Sequence, residues 1–364
     1  MSKTKKVKNN AKTQSAEDKA LDKFAEMMIG KLEGLQSDWH KPWFTEGALS
    51  WPKNLSGREY NGMNALMLMM HCEQQGYELP LWATFDRVDS LNGQRDPKTK
   101  KFIKAKDKDG NDLPRVAVNK GEKSFPVFIT VFTVIHSETK EKIKYDDYVR
   151  LSEEERKAYI VYPRLQVYNV FNIAQTNIKE ARPDYYEKLQ EQYGTKKKEV
   201  QSEDGMFTFD AMDYIITNNK WICPIKPAYG DEAYYSISRK CIVVPEKRQF
   251  KSGESFYSNL FHEMAHSTGA EEHLNRLKPT SFGSKDYARE ELVAEMTAAL
   301  TSQRYGISKT VKEDSLPYLK SWLDNLKEDA TFIKSCLLDV KKATSMLTQC
   351  IDKVSAEMTD VKVA

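Results

Sequence analysis

The stretch Phe261-His262-Glu263-Met264-Ala265-His266-Ser267-Thr268-Gly269 has the form HExxH. Read as a helix, it decides the fold of the second half of the chain. Residues four apart share a helical face, so His262 and His266 can hold one metal ion together. Glu263 lies about 100° round the helix from His262 and can reach a water at an open position of the ion. The neighbours support a helix: Phe256, Leu260, Phe261, Met264 and Ala265 make an apolar stripe beside the histidines. Ser252 or Ser255 can serve as N-cap, and Gly269 can end the helix as a C′ glycine. The ligand types predict one Zn2+ ion, with other divalent metals as alternatives.

Two histidines leave such a site one protein ligand short. Gly269 gives an HExxHxxG look, but the position where a third histidine would follow is Glu272, and His273 is one place late. The better source is the helix expected over residues 286–296, which carries Glu290, Glu291 and Glu295. Glu291 and Glu295 are four apart on one face. One carboxylate can bind the ion while the other hydrogen-bonds a liganding imidazole and fixes its tautomer. Glu291 is the favoured ligand and Glu295 the supporting carboxylate; Glu290 and Glu295 remain alternatives for the ligand role. The plainer explanation is that acidic residues near a helix N-terminus simply complement the macrodipole.

Composition bounds the rest. The chain has 364 residues, enough for two domains, and 40% apolar and 30% charged residues fit a globular protein. No run of about 18 apolar residues is present, so no membrane span is expected. The five cysteines, Cys72, Cys223, Cys241, Cys336 and Cys350, include no CxxC pair, which suits a reduced, cytoplasmic compartment. A net charge of +3 does not by itself announce a nucleic-acid binder.

In chain order, residues 1–17 read as a disordered basic tail, and residues 16–35 as a helix carrying Leu21, Phe24, Met27, Met28 and Leu32. A turn-rich stretch with Trp39, Lys41, Trp43, Trp51, Arg58, Tyr60 and Asn61 leads into an apolar helix over residues 63–71. Aromatic and basic side chains in loops can stack bases and pair phosphates, or they can cover a core. Leu81 to Phe85, with Trp82, is expected to open a short helix with Thr84 as plausible N-cap and Gly93 as terminator. Residues 94–117 read as a loop or exposed hairpin. A turn with Lys120 and Lys123 precedes a strand at 125–135; a capped segment at Ser152–Tyr159 precedes another at 165–172. This makes an α+β first domain over residues 18–180. Residues 181–205 are charged and are taken as a linker. The second domain, 206–364, has a helix at 209–219 and a hairpin of 233–237 with 241–245 before the HExxH helix. A strand beside the metal helix can pair with an extended peptide; Tyr234 or Tyr235 on it could steady an oxyanion.

The order of several motifs resembles the antirestriction protein ArdC family. The first half contributes Trp39-x-Lys41-Pro42-Trp43, Ser56-Gly57-Arg58-x-Tyr60-x-Gly62-x-Asn64, Trp82-x-Thr84-Phe85, Lys120-Gly121-Glu122-Lys123 and Val170-Phe171-Asn172-x-x-Gln175. The second contributes Phe261-His262-Glu263-x-x-His266-x-Thr268-Gly269, Leu274-Asn275-Arg276, Phe282-Gly283, Tyr287-Ala288-x-Glu290-Glu291-Leu292-Val293-Ala294-Glu295 and Tyr318-x-x-Ser321-Trp322-Leu323. The resemblance covers residues 20–350. It implies a single-stranded-DNA-binding domain followed by a zincin-like metallopeptidase domain, in a factor carried by mobile elements that shields incoming DNA from restriction enzymes. It shifts Trp39, Lys41, Trp43, Arg58, Tyr60, Asn61, Trp82, Lys120 and Lys123 towards DNA contacts. Similar domains occur in conjugation-associated primase-like proteins. Residues 94–117 and 136–160 look like insertions, and Ser267 stands where tryptophan is common, which is expected to alter the pocket wall. A metal-dependent endopeptidase, delivered by its DNA-binding domain to a protein or peptide substrate, is the alternative function.

Overall fold

A computed structural model describes residues 15–38, 42–44, 51–194, 206–278, 284–310, 313–328 and 331–363. The first domain opens with α1 (Ala16–Ser37), whose N-terminus is closed by a reciprocal capping box between Ser15 and Asp18. The helix therefore starts inside the stretch expected to be tail; residues 1–14 lie outside the described residues. There follow β1 (Lys53–Asn54), α2 (Met63–Gln75), β2 (Leu81–Ala83), α3 (Phe85–Asp89), β3 (Gly93–Arg95) and β4 (Phe102–Lys104). Next are β5 (Phe125–His136), β6 (Lys142–Ile143), α4 (Tyr145–Arg150), α5 (Glu153–Arg156), β7 (Tyr159–Asn172), α6 (Ile178–Ala181) and α7 (Pro183–Tyr193). The second domain holds α8 (Asp210–Thr217), β8 (Ile225–Ala228), β9 (Tyr234–Ser236), β10 (Cys241–Pro245), α9 (Gly253–Ser267), α10 (Lys285–Arg304), α11 (Leu319–Glu328) and α12 (Thr331–Val363). The architecture is α+β in two domains.

The first domain is built on a five-stranded sheet of order β1-β2-β7-β5-β6. Its spine is the antiparallel ladder of β5 with β7, which pairs Phe125 with Val170 at one end and His136 with Tyr159 at the other. The expected insertion at 136–160 is the far end of this ribbon with its connecting helices, and the one at 94–117 includes the β3–β4 hairpin. Residues 81–83 are a strand and not the start of a helix. All three are buried, and Thr84 caps α3 immediately after them. The expected linker contains α7: Pro183 at its start presets the helical φ, and Tyr186 and Leu189, three apart, bury one face. Residues 195–205 lie outside the described residues.

The family motifs of this domain hold loops in place. Asn64 imitates a strand neighbour, accepting from the Phe128 N–H at 2.9 Å and donating to the Phe128 carbonyl at 2.6 Å. Gln175 donates to the Lys123 carbonyl and to Glu122, both at 2.9 Å, and so fixes the turn that presents Lys120 and Lys123 to solvent. In the second domain β10 pairs in parallel with β8 and antiparallel with β9, leaving β9 at an edge of the three-stranded sheet.

Of three apolar clusters among the described residues, one lies within each domain and the third draws on both. Phe24, Met28, Leu32 and Leu35 of α1 and Leu66 to Met70 of α2 pack in the same cluster as Leu292, Val293 and Met296 of α10 and Trp322 of α11. The apolar stripe of α1 thus has partners from the far end of the chain. Among the described residues no helix is long and apolar enough to cross a membrane. Trp322 is fully buried in the shared core and donates its indole N–H to the Ala288 carbonyl at 2.6 Å. Trp322→Ala should cost about 3–5 kcal/mol. In scanning calorimetry both domains are expected to melt in one transition, shifted as a unit by this substitution; two separable transitions would contradict the shared core.

Candidate metal centre

Helix α9 starts where expected. Ser252 accepts from the Ser255 N–H at 3.1 Å, and the helix then presents His262, Glu263 and His266 to the interior side of a cleft. Gly269 is not a left-handed cap. It is needed for space: a Cβ there would lie 2.9 Å from Leu277 Cγ and 3.1 Å from both Arg276 Nη2 and the His266 carbonyl oxygen. That close approach lets the chain fold back so that Arg276 donates from Nη2 to the Ala265 carbonyl at 2.9 Å. Ser267 does not form the pocket wall. It is 1% exposed on the core side, where its hydroxyl accepts from the Trp221 indole at 2.9 Å.

Helix α10 crosses α9 and brings three carboxylates to the two imidazoles. His262 Nε2 lies 3.4 Å from Glu291 Oε2, and His266 Nε2 lies 3.5 Å from Glu291 Oε1. The two Nε2 atoms are 3.1 Å apart. The outer ring nitrogens are taken by the other two carboxylates: His262 Nδ1 is 3.1 Å from Glu295 Oε2, and His266 Nδ1 is 3.1 Å from Glu290 Oε1. A carboxylate accepts, so both Nδ1 atoms carry a proton, and in the neutral rings that metal binding requires both Nε2 lone pairs converge on one point beside Glu291. One ligand atom from each of His262, His266 and Glu291 falls within 4.8 Å of the others.

Each supporting carboxylate is itself held. Glu295, fully buried, also accepts at Oε1 from Lys309 Nζ at 2.8 Å and from the Trp43 indole at 2.9 Å. Glu290 accepts at Oε2 from Arg276 Nε at 2.7 Å and at Oε1 from Arg276 Nη2 at 2.9 Å. Burial alone would raise both acids, but Lys309 and His262 hold Glu295, and His266 and Arg276 hold Glu290, below the usual carboxylate range. Burial likewise opposes ionisation of Glu291, yet His266, His262 and the Tyr287 hydroxyl bring it down to about 2. Burial lowers His266, and the charges of Glu291, Glu290 and Glu263 overcome it, pushing it up to about 8.

The donor set fits a divalent ion. Two imidazole nitrogens and a carboxylate are the ligand types of a three-ligand zinc site with one position left for chemistry. Four acidic side chains, Glu263, Glu290, Glu291 and Glu295, stand against two basic ones, Arg276 and Lys309. A divalent cation would neutralise that imbalance.

The cleft above the cluster has a volume of 1020 Å³ and is lined by Tyr234, Tyr235, Glu263, Arg276 and Tyr287 among others. Tyr234 and Tyr235, named from the sequence, come from the edge strand β9. Tyr234 accepts from Arg239 Nη2 at 2.7 Å. Tyr287 was missed: its hydroxyl bonds Glu291, and burial together with the Glu291 charge raises its pKa. Its place at the start of α10, one turn before Glu291, is the signal that pointed to it.

The residues expected at a DNA surface separate into groups. Trp39 and Lys41 lie outside the described residues. Arg58, Asn61, Lys120 and Lys123 are exposed, and Tyr60 is half-buried. Trp43 and Trp82 are core residues, 1% and 0% exposed, and offer no open face to a base. Trp82 instead packs 6.2 Å from Phe125 and 5.9 Å from His71, between centroids. Sequence reasoning missed the exposed part of one face of the β5–β7 ribbon, whose near end (Phe125, Val127, Val170) is core. The register puts Ile129, Gln166, Arg164, Tyr162 and Tyr168 on one face. Tyr162 is 52% exposed and Tyr168 40%.

Known proteins match along most of the chain. Residues 18–171 match the family model described as the N-terminal domain of anti-restriction factor ArdC, and residues 212–336 match that of a zincin-like metallopeptidase. Two DNA primase TraC proteins of Escherichia coli are 25% and 26% identical over 93% and 87% of this chain, which spans only 28% and 19% of their lengths. The uncharacterized protein y4eC of Sinorhizobium fredii (strain NBRC 101917 / NGR234) is 24% identical, over 94% of this chain and 93% of its own. Among solved structures, the antirestriction ArdC protein from the R388 plasmid shares the fold. Its metal-free form has a TM-score of 0.61 and 23% identity, covering 92% of this chain and 98% of that one. Its Mn(II)-bound form gives the same score and identity, covering 91% and 97%. With an ArdC N-terminal domain followed by a zincin-like metallopeptidase domain around the HExxH helix, the chain belongs to the ArdC family.

Proposed function

We propose that this chain is a single-stranded-DNA-binding antirestriction protein of a mobile element that carries a zinc metallopeptidase centre. The observation that carries the enzymatic half is the convergence of His262, His266 and Glu291 at the floor of a cleft that also contains Glu263. His262, His266 and Glu291 would hold the ion, with Glu295 and Glu290 orienting the two imidazoles. A divalent ion there polarises a peptide carbonyl and acidifies water. Glu263 takes the proton of the attacking water and delivers it to the leaving amine. The free edge of β9 supplies backbone groups to align an extended peptide across the cleft. Tyr234, Tyr235 and Tyr287 are the hydroxyls available to a developing oxyanion.

For the nucleic-acid half, Arg58, Asn61, Lys120 and Lys123 provide exposed groups for phosphates. Trp39, Lys41 and Tyr60 stay in the proposed contact set from the family motifs; buried Trp43 and Trp82 do not. The ribbon face adds what a strand of unpaired bases needs: Tyr162 and Tyr168 as stacking platforms with Arg164 between them in register. The alternative reading, an endopeptidase for which DNA is only an address, uses the same residues and differs in what Glu263 is needed for.

Glu291→Ala is expected to abolish stoichiometric zinc binding in equilibrium dialysis, whereas Glu263→Gln retains it; zinc retained by Glu291→Ala would remove that residue from the ligand set. Tyr162→Ala and Tyr168→Ala should each weaken single-strand binding by about 1–3 kcal/mol in an anisotropy titration. Unchanged affinity in the double variant would discard the ribbon as a binding face. Glu263→Gln should bind single strands like the wild type and lose about 10²–10⁴-fold in any peptide cleavage. In a restriction-protection assay it should still protect DNA; loss of protection would favour the endopeptidase reading.

A further inference from the structure

The first domain reaches into the metal centre. Trp43 lies within the ArdC N-terminal domain, and its partner Glu295 lies 252 positions later in the metallopeptidase domain. The segment bearing Trp43 is clipped to the second domain by its backbone. Trp43 N–H donates to the Lys309 carbonyl at 2.8 Å, and Pro42 bridges to Thr310. Its side chain is 1% exposed, and the indole N–H donates to Glu295 Oε1 at 2.9 Å, the oxygen that also accepts from Lys309 Nζ. The other oxygen of Glu295 holds His262 Nδ1 at 3.1 Å. A continuous buried chain therefore runs from an indole of the first domain, through one carboxylate, to an imidazole of the metal cluster.

We propose that Trp43 is a positioning residue of the metal centre: by fixing the rotation of the Glu295 carboxylate it aims His262 Nε2 at the ion, so that the metallopeptidase domain is complete only with the first domain docked. The physical reasons are geometric. A carboxylate with one oxygen on a histidine is free to rotate about its last bond unless the other oxygen is pinned. Lys309 pins it with an ammonium on a flexible stem, which is a compact charge without a direction. The indole pins it with a single N–H in a plane fixed by packing. Groups in this position commonly decide metal affinity as much as the ligands do. By linkage, whatever ion binding gains from Trp43 is returned as stability of the docked segment, so loading of the ion and seating of the first domain strengthen each other.

This inference rests on the metal reading above, and the test separates the two. In the full chain, Trp43 is replaced by benzothienylalanine, which keeps the ring shape and puts sulfur where the N–H was. Zn2+ affinity is then read by competition with a chromophoric chelator. The same replacement at Trp322, which removes the buried indole bond to the Ala288 carbonyl, is the control for a purely structural effect. The Trp43 variant should bind zinc about tenfold more weakly, with a changed absorption spectrum when loaded with Co2+, and the Trp322 variant within about twofold of wild type. In the unsubstituted protein labelled with 15N-tryptophan, zinc should shift the Trp43 indole N–H resonance. Wild-type affinity in the Trp43 variant, an equal loss in the Trp322 variant, or an unmoved Trp43 resonance would each overturn the proposal. Failure of the wild-type chain to bind zinc would refute the metal reading itself.

Discussion

The two imidazoles of α9 point at one spot because carboxylates of α10 hold them there. His262 and His266 each donate Nδ1–H to a glutamate, which leaves two Nε2 atoms 3.1 Å apart and facing Glu291. Lone pairs so placed repel one another unless a cation or a proton sits between them. That constraint requires two buried helices to cross at one depth, which in turn requires the apolar faces of α9 and α10 to be fully covered. Phe261, Met264, Leu292, Val293 and Met296, each 0% exposed, meet that need. The cost of burying Glu295 wholly and Glu290 in large part is offset by Lys309 and Arg276, whose loss would leave those charges uncompensated.

The same helix that carries the carboxylates is the wall shared by the two domains. Leu292, Val293 and Met296 of α10 belong to the cluster that α1 and α2 of the first domain complete. A half-buried salt bridge, Arg304 with Glu59 at 2.7 Å, and the seating of Trp43 beside Lys309 follow the same seam. The two domains are therefore joined by packing rather than by a tether alone.

Much of this was legible in the sequence where the signal is local. The HExxH helix, its Ser252 cap, the Glu291 and Glu295 pair four apart and the long strands at β5 and β7 all declare themselves within a window of a few turns or pairs. What depends on distant partners did not. Gly269 does follow the end of the helix, but what requires glycine there is its close approach to Leu277 and Arg276. Trp43 sits in a turn-rich stretch beside Lys41 that reads equally as a stacking surface or as a core lid, Trp82 in a stretch that reads as a helix start, and the family resemblance shifted both towards DNA. Their burial is decided by α10 and Lys309 for one and by Phe125 and His71 for the other. Residues 81–83 were too short to distinguish a strand from a helix start until the β7 partner was known. Conversely, β7 begins at Tyr159, before the stretch 165–172 that read as a strand, and this added length carries the exposed Tyr162.

The central claim is that His262, His266 and Glu291 close on one ion while Glu295 and Glu290 stay behind the imidazoles. Anomalous diffraction at the zinc edge from crystals grown with zinc tests this most directly. The account predicts a single strong peak at about 2.0–2.2 Å from His262 Nε2, His266 Nε2 and a Glu291 oxygen. A peak bound through Glu290 or Glu295, or through either Nδ1, would contradict it.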